Sequence, residues 1–118
     1  RIHDILDDGP IHEEFDGVVS LDVMEHIPRD KHQLFLDNIC LSLTDKGCAI
    51  IGMPSIESQE YASDRSKIGH VSCLDQKTFK TILKKKFQRV FLFSMNDELV
   101  HTGFSSMSHY NLALCIKD

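Results

Sequence analysis

Apolar residues along the chain fall into alternating runs that predict strands and helices. Four short runs rich in valine, isoleucine, leucine and phenylalanine have the length and bounds of strands: Phe15–Leu21, Cys48–Met53, Arg89–Met95 and Tyr110–Lys117. Between them, apolar residues recur at helical spacing in two segments, which run from Asp30 to Leu43 and from Asp75 to Lys86. Both segments begin at a potential N-cap. The remaining polar stretches, Ser55–Ser72 and Asn96–His109, are predicted to be long loops.

The order of these elements is strand, helix, strand, helix, strand, strand. Alternation of this kind predicts an α/β domain whose parallel strands are joined by helical crossovers. The last two strands are joined without a helix and can only be antiparallel. The opening segment Arg1–Leu6 has the pattern of the end of a further strand. A chain of 118 residues has the length of one domain, and we expect a single domain over residues 1–118.

Composition excludes several classes of protein. The chain has 13 Lys and Arg against 18 Asp and Glu, a formal net charge of −5, which disfavours a nucleic-acid partner held by bulk positive charge. No apolar run approaches the ~20 residues of a membrane span, and no signal peptide is recognisable. The four cysteines form no CxxC pair, and three of them lie in apolar runs, as reduced, buried thiols do. We therefore expect a cytoplasmic protein without membrane contact.

The most informative segment is Phe15–Ile27, which reads FDGVVSLDVMEHI. A predicted buried strand ends at Asp22, and a second acid, Glu25, and an imidazole, His26, follow three and four residues later. This segment resembles the post-strand motif of the class I S-adenosylmethionine (SAM)-dependent methyltransferases. Its common form there is FD, hydrophobic residues and SLDVLEH, as in the small-molecule, type 11, 12 and 23-like groups.

The resemblance continues downstream, with departures. The segment Lys46–Ser55, KGCAIIGMPS, resembles the region around the family's fifth strand, and the Gly69-His70-Val71 stretch and the closing strand pair also fit. Asp45–Cys48 replaces the usual Lys-Pro-Gly-Gly, and Ser55 replaces an Asn. The family's glycine-rich cofactor loop and the acid that ends its second strand have no counterpart, since the six glycines are scattered.

The resemblance implies a partial Rossmann-like methyltransferase fold, the C-terminal portion of the domain. The sheet would be mostly parallel, with the family's strands in the order 4-5-7-6, strand 7 antiparallel and helices on both faces. Phe15–Leu21, central in the whole family fold, would then be an edge strand without a guarding lysine or proline. We expect this edge either to self-associate through Val18 and Val19 or to be covered by the opening segment or another chain.

The resemblance also implies that the complete protein uses SAM and assigns five cofactor-binding residues: Asp4, Ile5, Ser20, Leu21 and Asp22. Asp4 would accept a hydrogen bond from the adenine amino group, and Ile5 would offer its backbone N–H to the ring. The other three end the predicted strand, where open α/β sheets bind ligands. Simpler interpretations stay open, with Asp4 as a turn acid and Asp22 as a helix cap.

Two histidines are the candidate catalytic residues. If the methyl acceptor is a hydroxyl, His26 or His70 would act as its base, whereas an amine or carbon acceptor requires less. The simpler alternative is that His26 only packs and bonds a backbone carbonyl. The acceptor itself is not readable, because the two predicted loops that would shape its pocket carry no recognised signature.

Asp22, Glu25 and His26, with His70, have a second interpretation as a divalent-metal site. The spacing i, i+3, i+4 would place the first three on one side of a helical turn. Ubiquinone-pathway O-methyltransferases and small-RNA 2′-O-methyltransferases carry such a cluster, but the same letters occur in relatives that use no metal, and we do not favour it.

Two functions stay open. The first is SAM-dependent methylation of an O or N atom, with this chain as the acceptor-side half and inactive by itself. The second is a truncated or decayed methyltransferase-like domain that serves as a non-catalytic interaction module. A glycine-rich strand encoded upstream of Arg1 would favour the first.

Overall fold

The computed structural model describes residues 1–11 and 14–117. The strands are β1 (Phe15–Leu21), β2 (Leu43–Pro54), β3 (Arg89–Asn96), β4 (Leu99–His101) and β5 (Tyr110–Ile116), and the α-helices are α1 (His32–Ser42), α2 (Asp64–Gly69) and α3 (Gln76–Lys84). Short 3₁₀ turns cover Met24–His26, Arg29–Lys31, Glu57–Tyr61 and Ser105–Met107. The four predicted strands and both predicted helices are therefore present, within a few residues of the expected bounds.

The five strands form one mixed sheet in the order β1-β2-β5-β3-β4. Only β1 and β2 pair in parallel, whereas β5 runs antiparallel to both β2 and β3, and β4 is antiparallel to β3. The expectation of a mostly parallel sheet is wrong, because three of the four strand pairings are antiparallel: the two made by β5, whose antiparallel direction was expected, and the one made by β4. The sheet order also differs from the expected four-strand order by the added edge strand β4, which occupies part of the predicted loop Asn96–His109.

One face of the sheet carries the core. Helices α1 and α3 contact each other and pack on this face, where α3 buries Phe79 and Leu83 and the sheet contributes Ile51, Met53 and Ala113. The predicted N-cap of α3 is confirmed, since the Asp75 carboxylate accepts the Thr78 backbone N–H at 2.9 Å. Helices α1 and α3 therefore cover this face of the sheet.

The other face of the sheet is open and apolar. Val19, Ile50, Leu114 and Phe91 are register partners that form a row across four strands, and Val19 is 66% and Phe91 49% exposed. Beside this row lies a depression lined by apolar residues only, without a contribution from a described helix. Helices on both faces were expected and are not found among the described residues, because α1 and α3 share one face.

The opening segment is not a strand. The Asp8 N–H donates to the Asp4 carbonyl oxygen at 2.8 Å, and the chain turns there instead of extending. The segment is held against α1 by the Asn38 side-chain amide, which donates to the Ile5 carbonyl at 2.6 Å. Within residues 1–11 and 14–117, β1 pairs only with β2 and has no strand on its outer side.

No helix in the described part of the chain is long and apolar enough to cross a membrane.

Candidate functional site

The candidate site lies where β1 and β2 end. The last residues of β1 alternate, so that Ser20 is buried and Leu21 is 46% exposed. Asp22 follows with φ = 56°, a left-handed backbone conformation that is uncommon for a residue other than glycine. Its N–H donates to the Gly52 carbonyl oxygen at 3.2 Å, which ties the ends of the two strands together. Backbone conformations of this kind concentrate at functional sites.

Tyr110 crosses the open face of the sheet toward Asp22. Its path runs over Gly52, where an added Cβ would lie 2.5 Å from Tyr110 Cε1 and 2.8 Å from Leu21 Cδ2. Burial, followed by the negative charge of the adjacent Asp22, raises the pKa of the Tyr110 hydroxyl. Sequence reasoning missed Tyr110, although a glycine within a buried strand is a signal of close approach.

The backbone of the turn that follows β1 is held by hydrogen bonds and by burial in the core. Met24 is fully buried in the core, and the Ser72 N–H donates to the Glu25 carbonyl oxygen at 3.1 Å. The His32 ring nitrogen Nε2 lies 3.1 Å from the Met24 carbonyl oxygen and 2.9 Å from that of Ile27. Burial lowers the pKa of His32, which keeps its ring neutral. The backbone that presents Glu25 and His26 is therefore fixed by the fold itself.

The burial of Glu25 was not predicted from the sequence. Its side chain is fully buried, and neither carboxylate oxygen has a hydrogen-bond partner in the described part of the chain. Burial therefore raises its pKa, since removal from water disfavours the charged form. The neighbouring thiol of Cys73 is affected in turn, because burial and then the Glu25 charge raise its pKa to about 11.

Two imidazoles flank the Glu25 carboxylate. The His26 Nδ1 lies 2.7 Å from the Gly69 carbonyl oxygen, which can only accept, so Nδ1 carries the proton. The His26 Nε2 is consequently the free nitrogen, 3.5 Å from Glu25 Oε1. His70 repeats the pattern, with its Nδ1 3.0 Å from the Gln59 side-chain oxygen. The two rings meet edge to face with their centroids 5.0 Å apart.

The structure brings together three of the four residues of the predicted metal cluster. One donor atom each from Glu25, His26 and His70 lies within 4.8 Å of the other two. Asp22 does not belong to this donor group of described residues, because its left-handed backbone interrupts the helical turn on which the i, i+3, i+4 spacing depended. Histidines that bind metals commonly donate their other N–H to a carbonyl, as both do here.

Asp4 and Ile5, the other two predicted cofactor-binding residues, lie in the opening segment and make local contacts there. The Asp4 Oδ1 accepts the backbone N–H groups of Leu6 and Asp7 at 2.9 and 3.1 Å, and these bonds lower its pKa. Ile5 packs against the core. Asp4 thus has the contacts of a turn acid, and its role toward adenine stays a prediction.

Two cavities adjoin each other near the site, and the one called the inner cavity is lined by His70. The inner cavity, about 300 Å³, is lined by Pro54, Gln59, Tyr61, Ser66, His70 and His109, among others. The outer cavity, about 270 Å³, is lined by Glu57, Tyr61, Asn96 and Ser106–His109. Tyr61 and His109 belong to both walls. Both cavities lie between the segments Ser55–Ser72 and Asn96–His109, which were expected to shape the acceptor pocket.

The sequence matches no protein-family model and no curated protein. Solved structures do match the fold. A SAM-dependent methyltransferase from Thermotoga maritima aligns with a TM-score of 0.72 at 14% identity, over 93% of this chain and 59% of its own. One from Archaeoglobus fulgidus gives 0.66 at 14%, over 89% and 60%.

The N-methyltransferase NodS from Bradyrhizobium japonicum, in complex with S-adenosyl-L-homocysteine, aligns with a TM-score of 0.63 at 21% identity over 98% of this chain. The chain spans 52–60% of the length of these three proteins. This α/β chain with its mixed five-stranded sheet therefore has the fold of the corresponding part of the class I SAM-dependent methyltransferases.

Proposed function

We propose that this chain is the acceptor-side part of an enzyme that transfers the methyl group of SAM to an oxygen or nitrogen atom. The observation that carries the proposal is the buried Glu25 carboxylate between the His26 and His70 imidazoles, at the carboxyl end of β1 in a class I methyltransferase fold. The similarity to NodS, an N-methyltransferase crystallised with S-adenosyl-L-homocysteine, supports SAM as the donor.

Methyl transfer from SAM requires little of the protein beyond positioning of the reacting atoms. The nucleophile attacks the methyl carbon in line, the S–C bond breaks, and S-adenosyl-L-homocysteine leaves as a neutral thioether. Alignment of the reacting atoms contributes about 7–11 kcal/mol to reactions of this kind. For a hydroxyl or an ammonium acceptor, a base must also remove a proton.

His26 is the first candidate base. Its Nδ1–H is engaged with Gly69, so the proton of the acceptor is received at Nε2. The imidazolium that forms lies 3.5 Å from the buried Glu25 oxygen, which stabilises the positive charge. His70, held by Gln59 and adjoining the inner cavity, positions the acceptor or serves as the base for a differently bound one.

Part of the cofactor would bind at the carboxyl end of β1, where the chain passes from Ser20 on the core side of the sheet to Leu21 on the open face. Ser20 has a buried hydroxyl oxygen without a partner in residues 1–11 and 14–117, and Leu21 and Asp22 end β1 next to it. Asp4 and Ile5 complete the proposed adenine contacts, as the family resemblance implies.

A divalent ion is the second candidate at this site, favoured by the unpartnered Glu25 carboxylate. Glu25 and the Nε2 atoms of His26 and His70 would hold it. A tetrahedral ion about 2.1 Å from each donor needs donors about 3.4 Å apart. Since the donors lie within 4.8 Å of one another, the widest pair would have to close by up to about 1.4 Å. Such an ion would lower the pKa of an acceptor hydroxyl.

The test uses the chain together with whatever sequence is encoded upstream of it. Purified protein is incubated with SAM and a small-molecule extract of the source organism, and S-adenosyl-L-homocysteine and products 14 Da heavier are followed by mass spectrometry. We expect His26→Ala to lower turnover by about 10²–10⁴-fold for a hydroxyl acceptor while cofactor binding persists.

His101→Ala is the matched control, because His101 lies on the β3–β4 hairpin and lines neither cavity. Turnover that depends on Mn²⁺ and is lost with a chelator would favour the metal arrangement. If the extended protein showed neither cofactor binding nor turnover, that result would refute the proposal and would favour a non-catalytic interaction module.

A further inference from the structure

The outer cavity has a chemical character of its own. Its lining includes one carboxylate, Glu57, and no lysine or arginine. The cations nearest in sequence to either cavity wall, Arg65 and Lys67, flank Ser66 but line neither cavity. A negatively charged ligand would meet no counter-charge here, whereas a positively charged ligand would.

Glu57 is only partly satisfied by the protein. Its Oε2 is buried and has no hydrogen-bond partner in the part of the chain that the structure describes. A carboxylate oxygen removed from water without a donor is unfavourable, and a donor brought by a ligand would relieve that cost. The aromatic ring of Tyr61 stands in the same wall and is 79% exposed. A carboxylate attracts an ammonium ion by its charge, and the face of an aromatic ring attracts it through the ring quadrupole.

The walls of the cavity are held in place before any ligand binds. The Ser55 N–H donates to the His109 carbonyl oxygen at 3.0 Å, and the His109 N–H donates to the Asn96 side-chain oxygen at 3.1 Å. The Ser55 hydroxyl donates to the Ser108 carbonyl oxygen at 2.5 Å and accepts the Ser58 N–H at 3.1 Å. The turn that carries Glu57 is therefore tied to the opposite wall through Ser55.

We infer that the outer cavity binds a protonated amino group of the methyl acceptor, with Glu57 as its counter-ion and Tyr61 against it. Because the inner cavity shares Tyr61 and His109 and reaches His70, the rest of the acceptor would extend toward His70, the second candidate base. The assignment as an acceptor site depends on the proposed methyl transfer, but the binding of an amine does not.

The test is a titration of the 118-residue chain with three probes of similar shape: phenethylamine, 2-phenylethanol and 3-phenylpropionate. Backbone amide shifts report binding, at constant pH and without SAM. We expect only the amine to saturate, in the millimolar range, with shifts confined to residues 57–61, 96 and 105–109. Glu57→Gln should weaken amine binding at least tenfold.

Glu60→Gln is the matched control, since it removes the same charge from the same turn at an exposed position outside both cavity linings. Tyr61→Leu should weaken amine binding three- to fivefold. Because Tyr61 is 79% exposed, we expect this variant to keep the fold. If Glu57→Gln lost the native amide spectrum, Glu57→Asp would replace it, with the same expected direction.

Equal binding of amine and carboxylate, or unchanged amine binding in Glu57→Gln, would overturn the inference. The outcome separates from that of the proposed function. S-adenosyl-L-homocysteine formation without amine binding would leave methyl transfer standing and remove the amine site. Amine binding without any methyl transfer would do the reverse.

Discussion

Replacement of Glu25 by Gln tests the central feature of the site. The Glu25 pKa is raised above its ordinary value of 4.5, chiefly by burial. Between the unfolded and folded pKa values the folded state binds more protons than the unfolded state. Stability therefore falls as the pH rises through this range, and the full cost of the buried charge is present above it. A neutral Gln at the same place removes that dependence.

The size of the effect follows from the lack of partners. A buried polar group without a hydrogen bond costs about 1–3 kcal/mol, and a charged one costs more. The Gln amide lacks partners as well, so the difference between the two residues is about 1–2 kcal/mol in favour of Glu25→Gln at pH 8. For a chain of 118 residues this corresponds to a rise in Tm of about 4–8 °C.

Urea unfolding at pH 4 and pH 8, with a chelator present, measures this effect. We expect Glu25→Gln to match the wild type at pH 4 and to exceed it at pH 8. Glu60→Gln, at an exposed carboxylate, should stay within about 0.5 kcal/mol at both. With Mn²⁺ or Zn²⁺ in place of the chelator, a real metal site stabilises the wild type by about 2.7 kcal/mol at 100 times Kd, and the variant loses that gain.

Two results would refute this reasoning. A Glu25→Gln variant less stable than the wild type at pH 8 under chelation would mean that the carboxylate has a partner in solution. Wild-type stability that rises between pH 4 and pH 8, and does so only with Glu25 present, would reverse the sign of the proposed pKa shift.

Three further predictions concern the cofactor, the sheet and its edge. Calorimetry of the 118-residue chain with SAM should show no binding at sub-millimolar cofactor, since the resemblance leaves only the adenine edge and part of the methionine site; a clear one-site isotherm would contradict this. Gly52→Ala should destabilise the fold by about 1–3 kcal/mol in thermal unfolding, because its Cβ meets Tyr110, whereas Gly17→Ala, with nothing nearer than 4.0 Å, should not. The β1 edge should self-associate in size-exclusion chromatography with light scattering, and Val19→Lys should abolish this; a wild-type monomer at all concentrations would disprove it.

The elements that the sequence predicted best are those in which local signals agree with packing. Helix α3 carries its apolar residues on one face and begins at the Asp75 cap, so both signals point to the same start. Strand β4 was missed because its three residues, Leu99–His101, are too few to show alternation. Parallel pairing was overestimated because the antiparallel strand β5, although expected, takes part in two of the four pairings, and the missed strand β4 adds a third antiparallel one.

The site was predicted only in part for a related reason. Glu25 and His26 belong to a contiguous motif, and the resemblance supplied His70, which the fold brings to them across 44 residues. Tyr110 and Glu57 lie in no motif, and only the folded chain places them near Asp22 and the outer cavity. Spacing failed at Asp22, where a left-handed backbone overrode the helical periodicity on which the prediction relied.

The residues of the site lie toward both faces of the sheet. Glu25 and His26 follow Met24, which is anchored in the core between the helices and the sheet, and their backbone is clamped by Ser72 and His32. Asp22 and Tyr110 meet at the open face, where the charges of both Asp22 and Glu25 act on the Tyr110 hydroxyl. The proposed base and its carboxylate are thus preorganised by the packing that folds the chain. Because Ser72 and His32 hold this backbone and neither is a proposed cofactor contact, a loss of cofactor binding should leave the geometry of Glu25 and His26 unchanged.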